Sequence, residues 1–170
     1  MSSLPLGFVT ASADYLRGVY LPRLERALAI LPPADLWWRP HSECIAFGTI
    51  LVHLEGNVRQ WILAGVGGQD DDRARDAEFA ANAELESRSG DELLAALRAT
   101  IEAAATAIES LSEARLAETV TVQGYDNTVQ TAILHVVEHF SWHTGQAVWV
   151  AKARGGAGHG LSFYDDTTLA

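Results

Sequence analysis

The sequence predicts an all-α fold, a bundle of four long helices with a minor extended segment before the last helix. Two observations predict it. Alanine and leucine are prominent among the 48% of residues that are apolar, and the longest stretches without glycine or proline show helical periodicity. With 170 residues, the chain is long enough to bury roughly 70% of its extended surface. We therefore expect residues 1–170 to form a single domain.

The first two helices are separated by a connection that contains proline. Apolar residues recur at helical spacing over residues 7–31, and a pair of prolines ends that helix. The segment 34–47, which contains a further proline, is expected to be a connection. The helical period resumes over residues 48–65, and a cluster of glycines stops it.

A long polar segment precedes the third helix. Residues 69–88 are rich in aspartate and arginine, and they predict either a solvated connection or a lid or rim over a site. The solvated connection is the favoured interpretation. Ser89 followed by Glu92 fits a capping box, so a helix is expected over residues 91–111. Its alanine-rich, amphipathic sequence indicates a purely structural role.

The last helix follows a short extended segment. Residues 119–123 alternate as a strand would, and residues 124–127 have turn chemistry, with Asn127 as the helix N-cap. The fourth helix is expected to end at about Arg154. The glycine-rich residues after it predict a flexible end in which His159 is solvated.

The charge of the chain excludes several classes of partner. The net charge of −10 disfavours nucleic acid and anionic membranes, since both require a basic patch. The N-terminus lacks a basic segment followed by an apolar run, and no stretch of about 20 apolar residues occurs. We therefore expect a soluble, cytoplasmic protein.

Two histidines of the fourth helix, His139 and His143, are four residues apart, so both imidazoles point to the same side of an α-helix. The stripe they share should face the core because its other members are apolar: Ala132, Val136, Ala147 and Val150. Neutral imidazoles in a core need partners for their ring nitrogens, and a metal ion supplies one partner for both. The alternative is an ordinary pair of core histidines. Phe140 replaces the glutamate of the zinc-protease motif, which excludes that class.

A third ligand would complete a catalytic-type metal centre, in which three protein ligands leave one position open. His53 of the second helix is the first candidate, because it shares an inward face with Asn57 and Trp61 and lies opposite the fourth helix. His41, in the proline-containing connection, ranks well behind it. His135 lies at the edge of the histidine stripe, so we expect it around the ligands or at the rim of the site, together with Asn57 and Trp61. Ligation of the metal by His135 is the less favoured alternative.

The single cysteine, Cys44, excludes an internal disulfide and fits a reducing compartment. As a fourth, thiolate ligand it would close the metal site and indicate a structural centre. The favoured interpretation is a small buried hydrophobic residue near the start of the second helix.

Four segments of the chain carry a family resemblance: residues 50–57, 73–79, 139–146 and 150–152. Together they resemble the DinB-like (DinB/YfiT) superfamily of proposed metalloenzymes, in one of its uncharacterised bacterial subfamilies. The resemblance extends from the first helix to about residue 163. It implies a four-helix bundle with a long crossover that is often a homodimer.

The resemblance also implies a ligand set and a range of chemistry. A divalent metal ion, zinc or nickel first and iron or manganese second, is expected on His53, His139 and His143. The reactions of the superfamily act on small molecules and include thiol transfer with bacillithiol or glutathione, a mycothiol-dependent isomerisation, and hydrolysis. The resemblance does not choose among them.

The residues that follow the last histidine complete the expected site. Gly145 within a helix costs roughly 1 kcal/mol and suggests close packing. Gln146 is expected either to hydrogen-bond an imidazole or bound water, or to make an ordinary helix contact. Helical phase turns Glu55 and Glu138 away from the site, so we expect no dedicated protein base.

Three hypotheses about function follow. The first is a metal-dependent transferase or hydrolase that uses metal-activated thiol or water. The second is a noncatalytic metal-binding or ligand-binding protein. The third, a helical interaction module with incidental histidines, is the least favoured because of the family resemblance. Metal content separates the third hypothesis from the other two.

Overall fold

The computed structural model describes residues 4–80 and 83–162 and confirms the all-α fold class. The elements of the first half, in chain order, are α1 (Leu4–Asp14), the π-helical segment Tyr15–Tyr20, α2 (Leu21–Ile30), a 3-10 turn (Pro33–Asp35), α3 (Phe47–Val58) and the π-helical segment Arg59–Val66. Those of the second half are α4 (Arg75–Phe79), α5 (Ala83–Glu86), α6 (Gly90–Glu109), α7 (Glu113–Leu116), β1 (Thr119–Val122), β2 (Tyr125–Thr128) and α8 (Val129–Gly155).

Four long helices form the bundle. The first bundle helix is α1, its π-helical continuation and α2, and the second is α3 with the π-helical segment that extends it. The third and fourth are α6 and α8. The sequence predicted continuous α-helices in place of the two π-helical segments. In the second segment, Gly67 donates its N–H to the carbonyl of Ile62, five residues earlier, over 2.8 Å.

The first bundle helix runs parallel to α8. Tyr20 stacks on Phe140 with ring centroids 5.8 Å apart. Ten residues after Tyr20, Ile30 lies against Gly155, which is fifteen residues after Phe140. A Cβ on Gly155 would stand 2.9 Å from the carbonyl oxygen of Ile30. The close approach of the two backbones therefore requires glycine at this position.

The third bundle helix, α6, runs antiparallel to the first. Arg17 pairs with Glu109 near the end of α6, whereas Glu25 pairs with Arg98 in its middle. The capping box predicted at the start of α6 is present. The Ser89 hydroxyl accepts from the Glu92 N–H over 3.2 Å, and the Glu92 carboxylate accepts from the Ser89 N–H over 2.8 Å.

The second bundle helix runs antiparallel to α8, since the ring of His53 lies beside that of His143 and the ring of Trp61 lies beside that of His135. With α6 antiparallel to the first helix, α3 and α6 must be parallel. The chain between them, residues 67–89, therefore crosses the length of the bundle. This is the long crossover that the family resemblance implied.

All four bundle helices contribute to one hydrophobic core. Among its fully buried large side chains are Leu16, Leu24, Ile50, Leu97 and Phe140. Each such side chain contributes about 1.5–3 kcal/mol relative to an exposed position. The core thus fixes the relative positions of α3 and α8, on which the histidines lie. No helix in the described part of the chain is long and apolar enough to cross a membrane.

The extended segment before α8 is a two-stranded hairpin, of which the sequence predicted the first strand. Gln123 and Gly124 form its turn, both with positive φ (55° and 80°), as a two-residue type I′ turn requires. The residues expected to form the turn are mostly in β2. The predicted N-cap, Asn127, is therefore wrong: it pairs with Val120, and the hydroxyl of Thr128 accepts from the first turn of α8.

The crossover segment is more ordered than a solvated connection. Within residues 69–88, of which 81 and 82 lie outside the described residues, the chain forms α4 and α5. The side chains of Arg73 and Glu78 are only 2% and 8% exposed. The favoured interpretation as a solvated connection is thus wrong for this part of the crossover, because the side chains of Arg73 and Glu78 are buried and paired with each other.

Candidate metal centre

Three histidines from two bundle helices converge at one point. His53 lies on α3, and His139 and His143 lie one turn apart on α8. One ring nitrogen from each lies within 4.8 Å of the others, and Nε2 of His53 is 3.1 Å from Nε2 of His139. His53 is buried, whereas His139 and His143 are partly buried. The structure thus brings together the three residues that the sequence proposed as ligands.

Helix geometry explains this convergence. On α8 the histidines continue a stripe whose other members are buried: Ala132, Val136, Ala147 and Val150. On α3 the position of His53 is fixed by the fully buried Ile50 and Leu54 on either side of it. Since α3 and α8 pack antiparallel, their inward stripes face each other along the bundle. The three imidazoles meet where these stripes come closest.

Hydrogen bonds determine which nitrogen of two rings faces the centre. Nδ1 of His53 is 2.7 Å from Oε2 of Glu78, and Nδ1 of His143 is 2.7 Å from Oε1 of Gln146. Both oxygens are acceptors, so each Nδ1 carries the proton and donates. Each neutral ring then has its lone pair on Nε2. This is the arrangement by which proteins orient histidine ligands towards a metal ion.

The residues fit a divalent metal ion. Two nitrogens bound to a tetrahedral zinc ion at about 2.05 Å lie about 3.3 Å apart, close to the 3.1 Å between the two Nε2 atoms. Imidazole nitrogen is a preferred ligand of zinc and nickel. Three protein ligands leave a fourth position open, as in catalytic zinc sites. All three donors are uncharged.

Burial keeps the histidines of α8 neutral. Desolvation, reinforced by the neighbouring His143 and His53, lowers the pKa of His139 to about 3. Desolvation and the nearby His53 likewise lower the pKa of His143, although the hydrogen bond that His143 donates to Gln146 opposes the shift. A neutral imidazole is the form that binds metal. At neutral pH the site therefore has two ligands that need not release a proton.

An ion pair from the crossover holds His53. Nε and Nη2 of Arg73 donate to the two carboxylate oxygens of Glu78 over 2.7 and 2.9 Å, and Nη1 donates to Oε1 of Gln60 over 2.9 Å. Burial alone would raise the pKa of Glu78, but hydrogen bonds from His53 and Arg73 outweigh it and hold that pKa below its usual value. Glu78 is therefore an anion that accepts the Nδ1–H of His53.

Gly56 makes room for this ion pair. A Cβ at Gly56 would stand 2.9 Å from Nε of Arg73 and closer still to Oε1 of Glu78. Neither Arg73 nor Glu78 was predicted as a site residue, although both lie within one of the segments that carry the family resemblance. Gly56, on the same helix as His53, was the one signal in the sequence that could have indicated a close neighbour of α3.

The residues expected around the ligands line the same helix interface. Gln146 hydrogen-bonds His143, which is one of the two roles expected for it. The ring of His135 lies 4.3 Å from that of Trp61 and 5.6 Å from that of His139, so it stands one turn from the centre. Burial lowers the pKa of His135, with Glu138 opposing the shift.

Three buried polar atoms near the centre have no hydrogen-bond partner within the described protein atoms: Oδ1 of Asn57, Nε1 of Trp61 and Nδ1 of His139. Asn57 and Trp61 are 4% and 6% exposed and follow His53 at successive turns of one helix face. An unpartnered buried polar atom costs about 1–3 kcal/mol. Such atoms are expected where ligands or ordered water bind.

Other candidates from the sequence lie elsewhere. His41 is exposed, and its Nε2 is 3.2 Å from Sγ of Cys44. Cys44 is partly exposed, which corrects its interpretation as a buried hydrophobic residue. It does not belong to the histidine cluster, which consists of His53, His139 and His143. His159, expected to be solvated, is partly buried and accepts the N–H of Leu161 over 2.9 Å.

The two glutamates nearest to the ligands in sequence do not face them. Oε1 of Glu55 accepts from the Thr100 hydroxyl of α6 over 3.0 Å, and Glu138 is exposed. Gly145 is also exposed, and a Cβ there would have no atom within 4 Å. The close packing expected at Gly145 is therefore wrong, and its cost of about 1 kcal/mol has no packing reason.

A cavity of about 660 Å³ adjoins the centre. His143 and Gln146 belong to its wall, as do Gly145 and two tryptophans of α8, and the opposite side is formed by the connection before α3, including Cys44. Small-molecule sites have volumes of about 300–1,000 Å³. One member of the histidine cluster, His143, thus lines a space of the right size for a small substrate.

Comparison with known proteins identifies the family. The model of a family described as a protein of unknown function (DUF1572) matches residues 8–159. The chain belongs to the DUF1572 family. No curated protein matches the chain significantly.

Among solved structures, the fold of this DUF1572 protein is similar to that of a conserved protein from Enterococcus faecalis, with a TM-score of 0.69 and 16% identity. The match covers 85% of this chain and 95% of the other. At this identity the likeness supports the bundle fold alone.

Proposed function

We propose that this DUF1572 protein is a DinB-like metalloprotein that binds one divalent ion, zinc or nickel, through His53, His139 and His143. The observation that carries the proposal is the pair of Nδ1 hydrogen bonds, from His53 to Glu78 and from His143 to Gln146. Both rings are thereby fixed with their Nε2 lone pairs available. Ordinary core histidines would also need such acceptors, but here the Nε2 atoms of His53 and His139 lie 3.1 Å from each other, and a metal ion would supply one partner for both.

The proposed reaction is thiol transfer or hydrolysis on a small molecule. A divalent ion held by three uncharged imidazoles lowers the pKa of a thiol or water at its open position towards neutrality. The protein's own contribution is to orient the ligands, keep them neutral by burial, and offer the adjoining cavity to the substrate. Glu78 is committed to Arg73 and His53, so it orients a ligand and is not a free base.

The second candidate is a noncatalytic metal-binding or ligand-binding protein. The pairing of Glu78 favours it, because the carboxylate that contacts His53 is already bonded to His53 and Arg73 and is not free to move a proton at the centre. Turnover distinguishes the two candidates.

The test begins with metal content. Protein purified without an affinity tag is freed of metal, reloaded with zinc or nickel, and measured by elemental analysis. We expect one ion per chain in the parent and in His41→Ala, and sharply lower occupancy in His53→Ala, His139→Ala and His143→Ala. Full occupancy in all three single variants would exclude the site.

Turnover is then measured with the same preparations. Metal-loaded and metal-free protein are incubated with bacillithiol, mycothiol or glutathione and a panel of small electrophiles, and with a panel of esters and amides. Metal-dependent conjugation supports the thiol route, and metal-dependent hydrolysis supports the water route. Metal binding without any turnover supports the noncatalytic candidate.

A further inference from the structure

Two tryptophans of α8 are exposed on the wall of the cavity. Trp142 and Trp149 are 65% and 60% exposed, although large aromatic side chains are usually well buried. They are seven residues apart, so they lie on one face of the helix and about 10 Å apart along its axis. Exposed aromatic groups on a cavity wall are typical of ligand-binding surfaces.

Gly145 lies between the two tryptophans and leaves the space between them open. A Cβ at Gly145 would have no atom within 4 Å, so neighbouring atoms do not require glycine there. A larger residue at this position would project into the cavity between the indoles. Glycine at this position weakens the helix but leaves the surface between the two indoles open. We call the surface formed by Trp142, Gly145 and Trp149 the indole slot.

The chemistry of the cavity indicates an uncharged ligand. Apart from the indole slot, its wall is formed by the apolar Pro40, Ile45 and Val150 and by a few polar groups. Glu43 is the only carboxylate among the described residues that line it, and none of them is a lysine or arginine. An anionic group in the indole slot would therefore share the cavity with Glu43 and meet no lysine or arginine among the described residues that line it.

We propose that the indole slot binds a planar, uncharged group of a small molecule and directs the molecule towards His143. The inference rests on the proposed function for its link to the metal centre. His143 belongs both to the wall of the cavity and to the histidine cluster, and Gln146 of the same wall is hydrogen-bonded to it, so a ligand in the slot lies beside one of the proposed ligands. The ring of Trp142 faces that of His143 at 6.3 Å and 21°. In this proposal the slot selects the substrate by its planar group, and the reaction takes place at the proposed metal centre.

Two fluorescent probes with the same ring system test the charge preference. N-phenyl-1-naphthylamine is uncharged, and 8-anilino-1-naphthalenesulfonate carries one added sulfonate. Before metal is added, we expect saturable binding of one uncharged probe per chain, and affinity at least about tenfold lower for the sulfonate because the cavity offers it Glu43 and no lysine or arginine among its described lining residues. Equal or tighter binding of the sulfonate would overturn the assignment.

Matched variants test the location. Gly145→Leu should weaken binding of the uncharged probe by at least about tenfold, because the new side chain fills the slot. Gly7→Leu is the control: Gly7 is also an exposed helix glycine with open space at its Cβ, but it is far from the cavity wall in sequence and lies on α1. Trp149→Ala, a change at an exposed position, should weaken binding similarly. Unchanged affinity in Gly145→Leu and Trp149→Ala would overturn the slot.

The same samples separate this inference from the proposed function. Metal content is measured by elemental analysis beside each titration. Probe binding with the expected variant pattern but without metal uptake supports the slot and overturns the metal proposal. Metal uptake without probe binding overturns the slot alone. If sedimentation shows a dimer that Gly145→Leu dissociates while the probe does not bind, the face is covered by a second copy of the chain and the slot is likewise overturned.

Discussion

Glu78 is the residue on which the orientation of His53 depends. Its carboxylate joins the imidazole to a buried arginine, so the ligand is held from the side opposite the centre. Changing it to glutamine keeps the size and shape but removes the negative charge. We expect Glu78→Gln to lower metal affinity by about 10–100-fold, the usual effect of losing such a partner.

Calorimetric titration with zinc measures that change. Glu86→Gln is the matched control, because Glu86 is exposed on the same crossover and should bind metal as the parent does. Since Glu78→Gln also weakens the pairing of Arg73, circular dichroism is recorded to show that the variant remains helical. Unaltered zinc affinity in a helical Glu78→Gln protein would show that Glu78 does not support the ligand.

The neutral histidines make the metal-free protein sensitive to acid. In the folded state the pKa of His139 is lowered to about 3 from an ordinary value of 6.5, so below pH 6.5 the unfolded chain binds more protons than the folded one. The contribution of neutral, buried His139 to the free energy of unfolding is therefore fully present above pH 6.5, and it is lost progressively as the pH falls towards 3. Each such histidine can lower the free energy of unfolding by at most about 1.4 kcal/mol per pH unit, and solvent screening keeps the loss below this limit.

Denaturant unfolding of metal-free protein between pH 7 and pH 5 measures this effect above the range in which Glu78 titrates. The free energy of unfolding should fall with pH in the parent. It should fall less steeply in His139→Leu, which has no imidazole to protonate, whereas His41→Ala should behave like the parent because His41 is exposed. Identical slopes in His139→Leu and the parent would show that burial of His139 does not lower its pKa.

Among the elements, Gly56 of α3 and Gly145 of α8 have opposite roles. The space that a Cβ at Gly56 of α3 would take is occupied by the ion pair of Arg73 and Glu78, whereas a Cβ at Gly145 of α8 would face open space. Gly145→Ala should therefore stabilise the protein by about 1 kcal/mol through helix propensity. Gly56→Ala should destabilise it and lower zinc affinity, because Glu78 must move away from His53.

The free energy of unfolding in denaturant and zinc titration measure both variants in parallel. The contrast is the test, since each substitution adds the same methyl group to a helix. Stabilisation by Gly56→Ala with unchanged zinc affinity would contradict the described packing of the crossover on α3.

The elements also show what can be predicted from the sequence. The histidine stripe of α8 was predictable because its members recur at helical spacing, and His53 was predictable as a candidate because it shares its inward face with apolar neighbours. Glu78 was not, because its contact with His53 joins residues 25 apart through a segment without periodicity. The N-cap was misplaced by one residue because the second strand of the hairpin extends to Thr128.

In the whole molecule, the proposed ion would join two helices that are distant in sequence. His53 and His139 are separated by 86 residues, and the crossover and α6 lie between them in the chain. The unfolded chain does not hold these ligands together, so binding should favour the folded state. At a free zinc concentration of 100 times the dissociation constant, we expect stabilisation of about 2.7 kcal/mol.

Thermal unfolding with and without zinc measures this coupling. The transition temperature of the parent and of His41→Ala should rise when zinc is added, and the rise should increase with zinc concentration. His143→Ala should show little or no rise, because the two remaining ligands bind too weakly to bias folding at the same concentration. A rise of the same size in His143→Ala would place the stabilising ion elsewhere in the molecule. The metal-dependent stability of the bundle would then not come from a bridge between α3 and α8.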